Sequence, residues 1–268
     1  MIRTDCHMHS SFSSDSSTSM EDMVKAAIRN RLRTICFTEH MDYNFPEKYE
    51  YDFLFNPDAY FEKYTELKNK YSDYIEILSG VELGLVCGNE TLCSKLVKQY
   101  PWDYVIGSVH IIDELDPYYE EYWNNKDEHL CIEKYFNTVY ENLCSHDDYD
   151  SVGHLDYILR YAPNKNRTFY YKDYKTIIDK ILNHIISHGK ALEINSAGYK
   201  SGLNTTNPCN EIINRYKKLG GVLFTIGSDA HSVEYPGYYF NEVTTQLREQ
   251  GINEYVVFKN RIPKLIHV

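Results

Sequence analysis

The stretch Asp5-Cys6-His7-Met8-His9 closes a short apolar run near the amino terminus, and its reading governs the rest of the chain. Residues two apart on a strand face the same way, so His7 and His9 aim their imidazoles at one point. Such a pair alone is a common pattern, and its meaning depends on what the other strands carry. Five further apolar or β-branched runs end in the same manner, at Thr38-Glu39-His40, Gly80-Val81-Glu82, Gly107-Ser108-Val109-His110, Gly153-His154 and Gly227-Ser228-Asp229-Ala230-His231.

These runs belong to an alternating pattern. Strands are predicted over residues 2–6, 34–38, 75–81, 104–109, 151–153, 191–195 and 222–227, with helices beginning near Ser19, Pro57, Glu90, Leu130, Tyr171 and Pro208 between them and near Asn241 after the last. Ser19 followed by Asp22, and Asn56 before Pro57, are helix-start signals. Alternation of this kind requires a parallel sheet with crossover helices, and no Gly, Ser or Pro-rich linker divides it. The expectation is one α/β domain over residues 1–268, a seven-stranded (β/α)7 TIM-like barrel. In such a barrel the carboxyl ends of all strands lie on one face, so six of the seven strands bring a potential metal ligand to the same place. His184 and His188 form an i, i+4 pair ahead of the sixth strand, which puts them toward the opposite face as structural or solvated residues.

Composition narrows the function classes. Hydrophobic residues make up 43% and charged residues 25% of 268, a globular balance with enough apolar material for a large core. Lys and Arg number 28 against 39 Asp and Glu, a net charge of −11, with no basic run to follow a phosphate backbone, so no nucleic-acid partner is expected. No apolar stretch suggests a signal peptide or membrane span. The seven cysteines include no C-x-x-C pair and read as buried thiols in a reducing cytoplasm. The 26 tyrosines suggest half-buried surfaces and no specific function. Residues 113–129, DELDPYYEEYWNNKDEH, follow the fourth strand and read as an ordered lid, in which Asp113, Glu114, Asp116, Glu120 and Glu121 could attract a cationic substrate.

Taken in order, D-x-H-x-H, T-E-H, G-V-E, S-V-H, G-H-x-D and G-S-D-A-H resemble the polymerase-and-histidinol-phosphatase (PHP) family over nearly the whole chain. The long loop, the run E-I-N-S-A-G-Y-K and the ending from Glu254 to Arg261 resemble its monofunctional histidinol-phosphate phosphatases. The resemblance implies a distorted seven-stranded barrel with a trinuclear cluster of zinc, manganese or iron. It assigns His7, His9, Glu82 and Asp229 to the first metal, with Glu82 bridging to a second held by His110 and His154. A third takes Asp15, His40 and His231. Asp15 departs from members that carry His there, and an Asx turn is its alternative reading.

Three divalent ions would outweigh Asp15, Glu82, Asp229 and a bridging hydroxide by about +2, matched to a phosphate dianion. Arg160 and Lys200 follow the fifth and sixth strands and could complete a phosphate site, Arg160 by a bidentate grip. Asp156 could orient a metal-binding histidine or protonate the leaving group. The implied reaction is hydrolysis of L-histidinol phosphate by a metal-bridged hydroxide. The alternatives are a PHP phosphoesterase for another small phosphate or nucleotide, an amidohydrolase-type deaminase and a noncatalytic metal-binding module.

Overall fold

A computed structural model describes residues 1–268. Seven parallel strands, β1 (Thr4–Met8), β2 (Thr34–Met41), β3 (Glu76–Gly84), β4 (Tyr104–Ser108), β5 (Ser151–Val152), β6 (Ala191–Asn195) and β7 (Phe224–Gly227), lie side by side in chain order. The sheet curls until its edges meet: Met8 bridges Ala230, the His9 amide donates to the Ala230 carbonyl at 2.9 Å, and the Asp229 amide donates to the His7 carbonyl at 2.8 Å. The result is the expected barrel, distorted at two points. β5 has only two residues, and β1 carries one extra residue against β2, since Asp5 pairs with Ile35 but Met8 with Phe37. A bulge of this kind re-aims side chains, here those flanking His7.

Helices α1 (Met20–Arg29), α2 (Pro57–Lys70), α3 (Glu90–Gln99), α4 (Glu120–Trp123), α5 (Glu128–Ser145), α6 (Lys175–Ser187), α7 (Ala197–Lys200), α8 (Asn210–Lys218) and α9 (Phe240–Glu249) fill the connections. Their starts follow local chemistry. The Ser19 hydroxyl accepts from the Asp22 amide at 3.1 Å, and the Asn56 side-chain Oδ1 accepts from the Asp58 and Ala59 amides with Pro57 at the first helical position. α6 shows why they pack: Ile177, Ile178, Ile181, Leu182 and Ile185 recur at helical spacing and are buried. One contiguous core of 68 buried residues joins strands and helices, and no helix is long and apolar enough to cross a membrane.

Several boundaries differ from expectation. β2 runs to Met41 and β3 to Gly84, so His40 and Glu82 sit inside paired strand and not on a loose end. β1 and β7 begin two residues late, and α5 starts at Glu128 because the Asp127 side chain caps the Leu130 amide at 3.1 Å. The region near Tyr171 is a 3-10 turn, Tyr171–Asp173, that leads into α6. The cysteines are not all buried: Cys87 and Cys144 are exposed and Cys209 is half-buried, while all seven are free thiols. Cys87 lies in the turn beyond β3, and Cys144 lies near the end of α5.

The lid is ordered by its aromatic residues. Tyr122 is buried and donates to the Cys131 carbonyl at 2.7 Å, the Trp123 indole donates to the Pro117 carbonyl at 2.7 Å, and Tyr119 stacks on Tyr49 at 4.2 Å.

An antiparallel hairpin, β8 (Glu254–Lys259) and β9 (Ile262–His267), was not expected. Its two-residue turn, Asn260-Arg261, has φ of 49° and 61°, a conformation normally signalled by glycine. Tertiary bonds hold it instead. The Asn260 and Arg261 amides donate to Asp103 ahead of β4, and the Arg261 guanidinium pairs with Asp150 ahead of β5 at 3.0 Å. Phe258 stacks on Tyr104, whose hydroxyl meets Ser151 and Thr225 inside the barrel. The hairpin therefore covers the amino-terminal mouth.

Replacing Arg261 by Ala leaves the buried Asp150 carboxylate without its cation, and should lower unfolding free energy by about 2 kcal/mol without altering the opposite face. Urea unfolding checks this; a midpoint equal to that of the parent chain would show that the hairpin is not a barrel plug.

Candidate metal centre

At the carboxyl ends of the strands the nine ligand candidates meet. The Nε2 atoms of His7 and His9 lie 3.1 Å apart. Glu82 Oε2 stands 3.1 and 3.4 Å from them, and Asp229 Oδ1 stands 3.7 and 3.5 Å from them. A tetrahedral ion with bonds of about 2.1 Å holds its ligands about 3.4 Å apart, so this spacing suits a cation at the centre. The other oxygen of Glu82 faces His154 Nε2 at 2.9 Å and His110 Nε2 at 3.3 Å. One carboxylate thus presents an oxygen to each of two groups. Asp15 Oδ2 lies 3.1 Å from His231 Nε2 and 3.6 Å from His40 Nε2, which is a set of contacts and not an isolated turn. The His9 ring stacks against both His40 and His231, at 4.3 and 4.1 Å, and those two rings lie 5.7 Å apart.

Outer partners turn the rings inward. His7 Nδ1 donates to Glu193 Oε1 at 2.6 Å, and His110 Nδ1 to Asp42 Oδ2 at 2.6 Å. His9 Nδ1 donates to Ser13 Oγ at 3.0 Å, whose hydroxyl donates to Glu39 at 2.6 Å, and His231 Nδ1 donates to the Asp229 carbonyl at 2.9 Å. Each bond fixes the tautomer that leaves a lone pair on Nε2. Carboxylate oxygens of Glu82 and Asp15 stand 3.1 Å from His40 Nδ1 and His231 Nε2 without hydrogen-bond geometry, and the buried His154 Nδ1 has no hydrogen-bond partner. Unsatisfied imidazole nitrogens among carboxylates are the donor set a divalent transition metal requires.

Sequence reasoning did not assign Glu193, Asp42 or Ser13. Two signals were present: Asp42 follows His40 by two and shares its face, and Glu193 points inward from β6, the one strand without a ligand at its end.

Charge explains the protonation pattern. Burial would push His7 down, but Glu193, Glu82 and Asp229 outweigh it and hold His7 well above its ordinary value. His40 is likewise raised against burial by Glu82 and Asp15, and His110 is pushed up to about 10 by Asp42 and Glu82. Glu82 and Asp229, which burial alone would raise, are held well below the carboxylate range, both with His7 as the leading opposing charge. The protein alone therefore answers its buried carboxylates by protonating imidazoles, a role that bound cations can take over.

A small cavity of about 90 Å³ opens above the cluster, lined by Asp15, His40, His110, His154 and His231. Arg160 reaches it from the 3-10 turn Tyr157–Arg160 and is itself buried. Its Nε donates to Asn207 Oδ1 at 2.9 Å, Nη2 to Asn195 Oδ1 at 3.1 Å and Nη1 to Asp229 Oδ2 at 2.7 Å. Asp156 is buried and accepts from the Asn207 side chain at 2.5 Å and the Cys209 amide at 2.8 Å; burial pushes it up to about 6. It touches none of the ligand histidines, so the expectation that it orients one is corrected: the carboxylate steadies Asn207, which steadies Arg160. Lys200 does not join the site. The single turn of α7 carries it to the surface, where its ammonium lies 4.1 Å from the Tyr235 ring. Of the lid carboxylates only Asp116 lines the cavity, and burial raises it to about 6. Asp113 and Glu121 instead pair with Lys134 and Lys48 on the surface.

The PHP domain family matches residues 5–197. The chain is 34% identical to the "Probable histidinol-phosphatase" of Clostridium acetobutylicum over 263 residues, 97% of this chain and 98% of that one. It is 31% identical to the histidinol-phosphatase of Lactococcus lactis over 259 residues, 96% and 95% of the two chains. Among solved structures, that of histidinol phosphate phosphatase from Lactococcus lactis, complexed with zinc, L-histidinol and phosphate, matches with a TM-score of 0.90 at 29% identity over 98% of each chain.

Replacing Glu193 by Gln keeps an acceptor for His7 but removes the charge that raises its basicity. Affinity for added zinc should fall about 10- to 100-fold, read by competition with a chromogenic chelator. Unchanged affinity would mean that Glu193 supports the strand and not the ligand.

Proposed function

The chain belongs to the PHP family, and from that membership and the geometry of the cluster we propose that it hydrolyses L-histidinol phosphate to L-histidinol and inorganic phosphate as a metal-dependent phosphatase. The observation that carries this reading is the convergence of six imidazoles and three carboxylates beneath a cavity walled by Arg160 and Asp116. The zinc, L-histidinol and phosphate in the Lactococcus lactis structure support the same substrate. Residues 1–268 act as a single domain, in keeping with the one continuous core.

The donor set fits three divalent ions, zinc, manganese or iron. His7, His9, Glu82 and Asp229 would hold one, Glu82 with His110 and His154 a second, and Asp15, His40 and His231 a third. Bound there, such ions lower the pKa of a water molecule and neutralise charge that gathers on the phosphoryl group. The remaining work belongs to side chains. A guanidinium has five N–H donors, and Arg160 uses three on Asn207, Asn195 and Asp229. Two remain for phosphate oxygens, and their hold strengthens as negative charge develops. Asp156 and Asn207 keep that fork in one orientation. Asp116 faces the organic half, where its carboxylate meets the substrate ammonium, and the lid excludes water around both.

Two variants separate these roles. Arg160→Ala should lower kcat/KM about 100-fold or more for histidinol phosphate and for an aryl phosphate alike, because both present the same dianion. Asn207→Ala should follow it in the same direction. A wild-type rate in Arg160→Ala would remove Arg160 from the phosphate site, and a wild-type rate in Asn207→Ala alone would show that Asn195 and Asp229 suffice to orient it.

Asp116→Asn should raise KM about tenfold for histidinol phosphate only. This advantage of the parent enzyme depends on pH with a defined sign. Asp116 titrates near 6, so the ratio of variant to parent KM should be largest well above that pH and approach one as pH falls below it. Substrate titration cancels in the ratio. A ratio that does not change with pH, or an equal loss on the aryl phosphate, would place amine recognition elsewhere and favour a less selective phosphoesterase.

A further inference from the structure

Away from the catalytic face, one more group of metal-ligating side chains is left without a role. α5 and α6 lead into the neighbouring strands β5 and β6, so their carboxyl ends lie together at the amino-terminal side of the barrel. Cys144, exposed, is the last residue but one of α5. His184 and His188 occupy the last turn and the carboxyl cap of α6. The Cys144 Sγ stands 3.7 Å from His184 Nδ1, and the two imidazole rings lie 3.9 Å apart at 23°. We propose that Cys144, His184 and His188 form a peripheral site for a borderline-soft divalent cation of the zinc class, independent of the catalytic cluster.

Four observations carry it. A thiolate and an imidazole on one tetrahedral zinc stand about 3.6 Å apart, from bonds of about 2.3 and 2.0 Å, and the sulfur and nitrogen already have that separation. His188 Nδ1 donates to the His184 carbonyl at 2.9 Å; to serve as the third donor, this exposed ring gives up that bond and swings toward the sulfur. The i, i+4 spacing keeps both imidazoles on one helix face. Two helix carboxyl ends converge there, and each favours positive charge. Burial and the neighbouring His188 also keep His184 below its ordinary value, hence unprotonated at neutral pH. Lys190, a neighbouring cation, is held by the Asp147 and Tyr149 carbonyls at 2.7 and 2.6 Å. A Cys-His-His set excludes magnesium and calcium and leaves a fourth position open to solvent. An ion there would tie α5 to α6.

The catalytic cluster contains no cysteine ligand, which makes the test specific. Enzyme passed over a chelating resin, which strips exposed sites while the buried cluster keeps its metal, is titrated with Co2+ and watched for thiolate-to-cobalt charge transfer in the near ultraviolet. One equivalent of the band is expected in the parent protein, none in Cys144→Ser, and a greatly weakened one in the His184→Ala/His188→Ala double variant. Phosphate release should be unchanged in all three, and added zinc should raise Tm in the parent but not in the double variant. No band in the parent, a band that survives Cys144→Ser, or one indifferent to loss of both histidines would overturn the site. The spectroscopic result does not depend on which phosphate ester the enzyme hydrolyses.

Discussion

Glu82 is a carboxylate with no exposure to water, and withdrawing such a charge from solvent costs several kcal/mol unless positive charge replaces the lost hydration. No lysine or arginine pairs with it; Arg160 is bound to Asp229 instead. Its two oxygens are answered only by imidazoles, with His7, His9 and His40 on one and His110 and His154 on the other. The raised positions of His7, His40 and His110 follow from that shortage of cations. A metal that enters must displace these protons, so uptake releases protons and weakens as pH falls.

Supplying so many donors to one carboxylate requires many chain segments to end at one place, which a parallel barrel provides. Six strands deliver ligands, while β6 delivers Glu193 and Asn195 as supports for His7 and Arg160. The other mouth carries no such demand. There the hairpin, Tyr104 and the Arg261–Asp150 pair supply packing and charge compensation, which separates the stability of the fold from the strain of the polar face.

Eight of the nine candidate ligands were legible in the sequence because two local rules place them, alternation along a strand and position at its carboxyl end, whereas Asp15, in the loop after β1, was reached only through the family resemblance. The outer partners were not, because they depend on register between distant segments; Glu193 is 186 residues from His7. Lys200 misled for the opposite reason. It lies close in sequence to β6, but one short helical turn points it away from the cavity. Asp156 shares its strand end with His154, yet the two-residue β5 gives way at once to a tight turn that directs the carboxylate toward Asn207. The hairpin escaped because Asn260-Arg261 lacks the glycine that usually announces such a turn, and Asp103 and Asp150 hold it from elsewhere in the chain.

The lid's attachment centres on one side chain. Its cavity-facing part is fastened to the segment after β2 by the Tyr49–Tyr119 stack, by the Asp116 amide bond to the Tyr49 hydroxyl at 3.1 Å and by the exposed Lys48–Glu121 pair. A stack and a hydrogen bond contribute about 1 kcal/mol each, and an exposed pair adds little. On the other side Tyr118 meets the Tyr161 ring edge-on at 5.4 Å. Tyr49 sits at the centre of the attachment, since both the stack and the hydrogen bond depend on it. Loss of that one side chain would therefore loosen the lid while leaving the barrel and its buried charges intact.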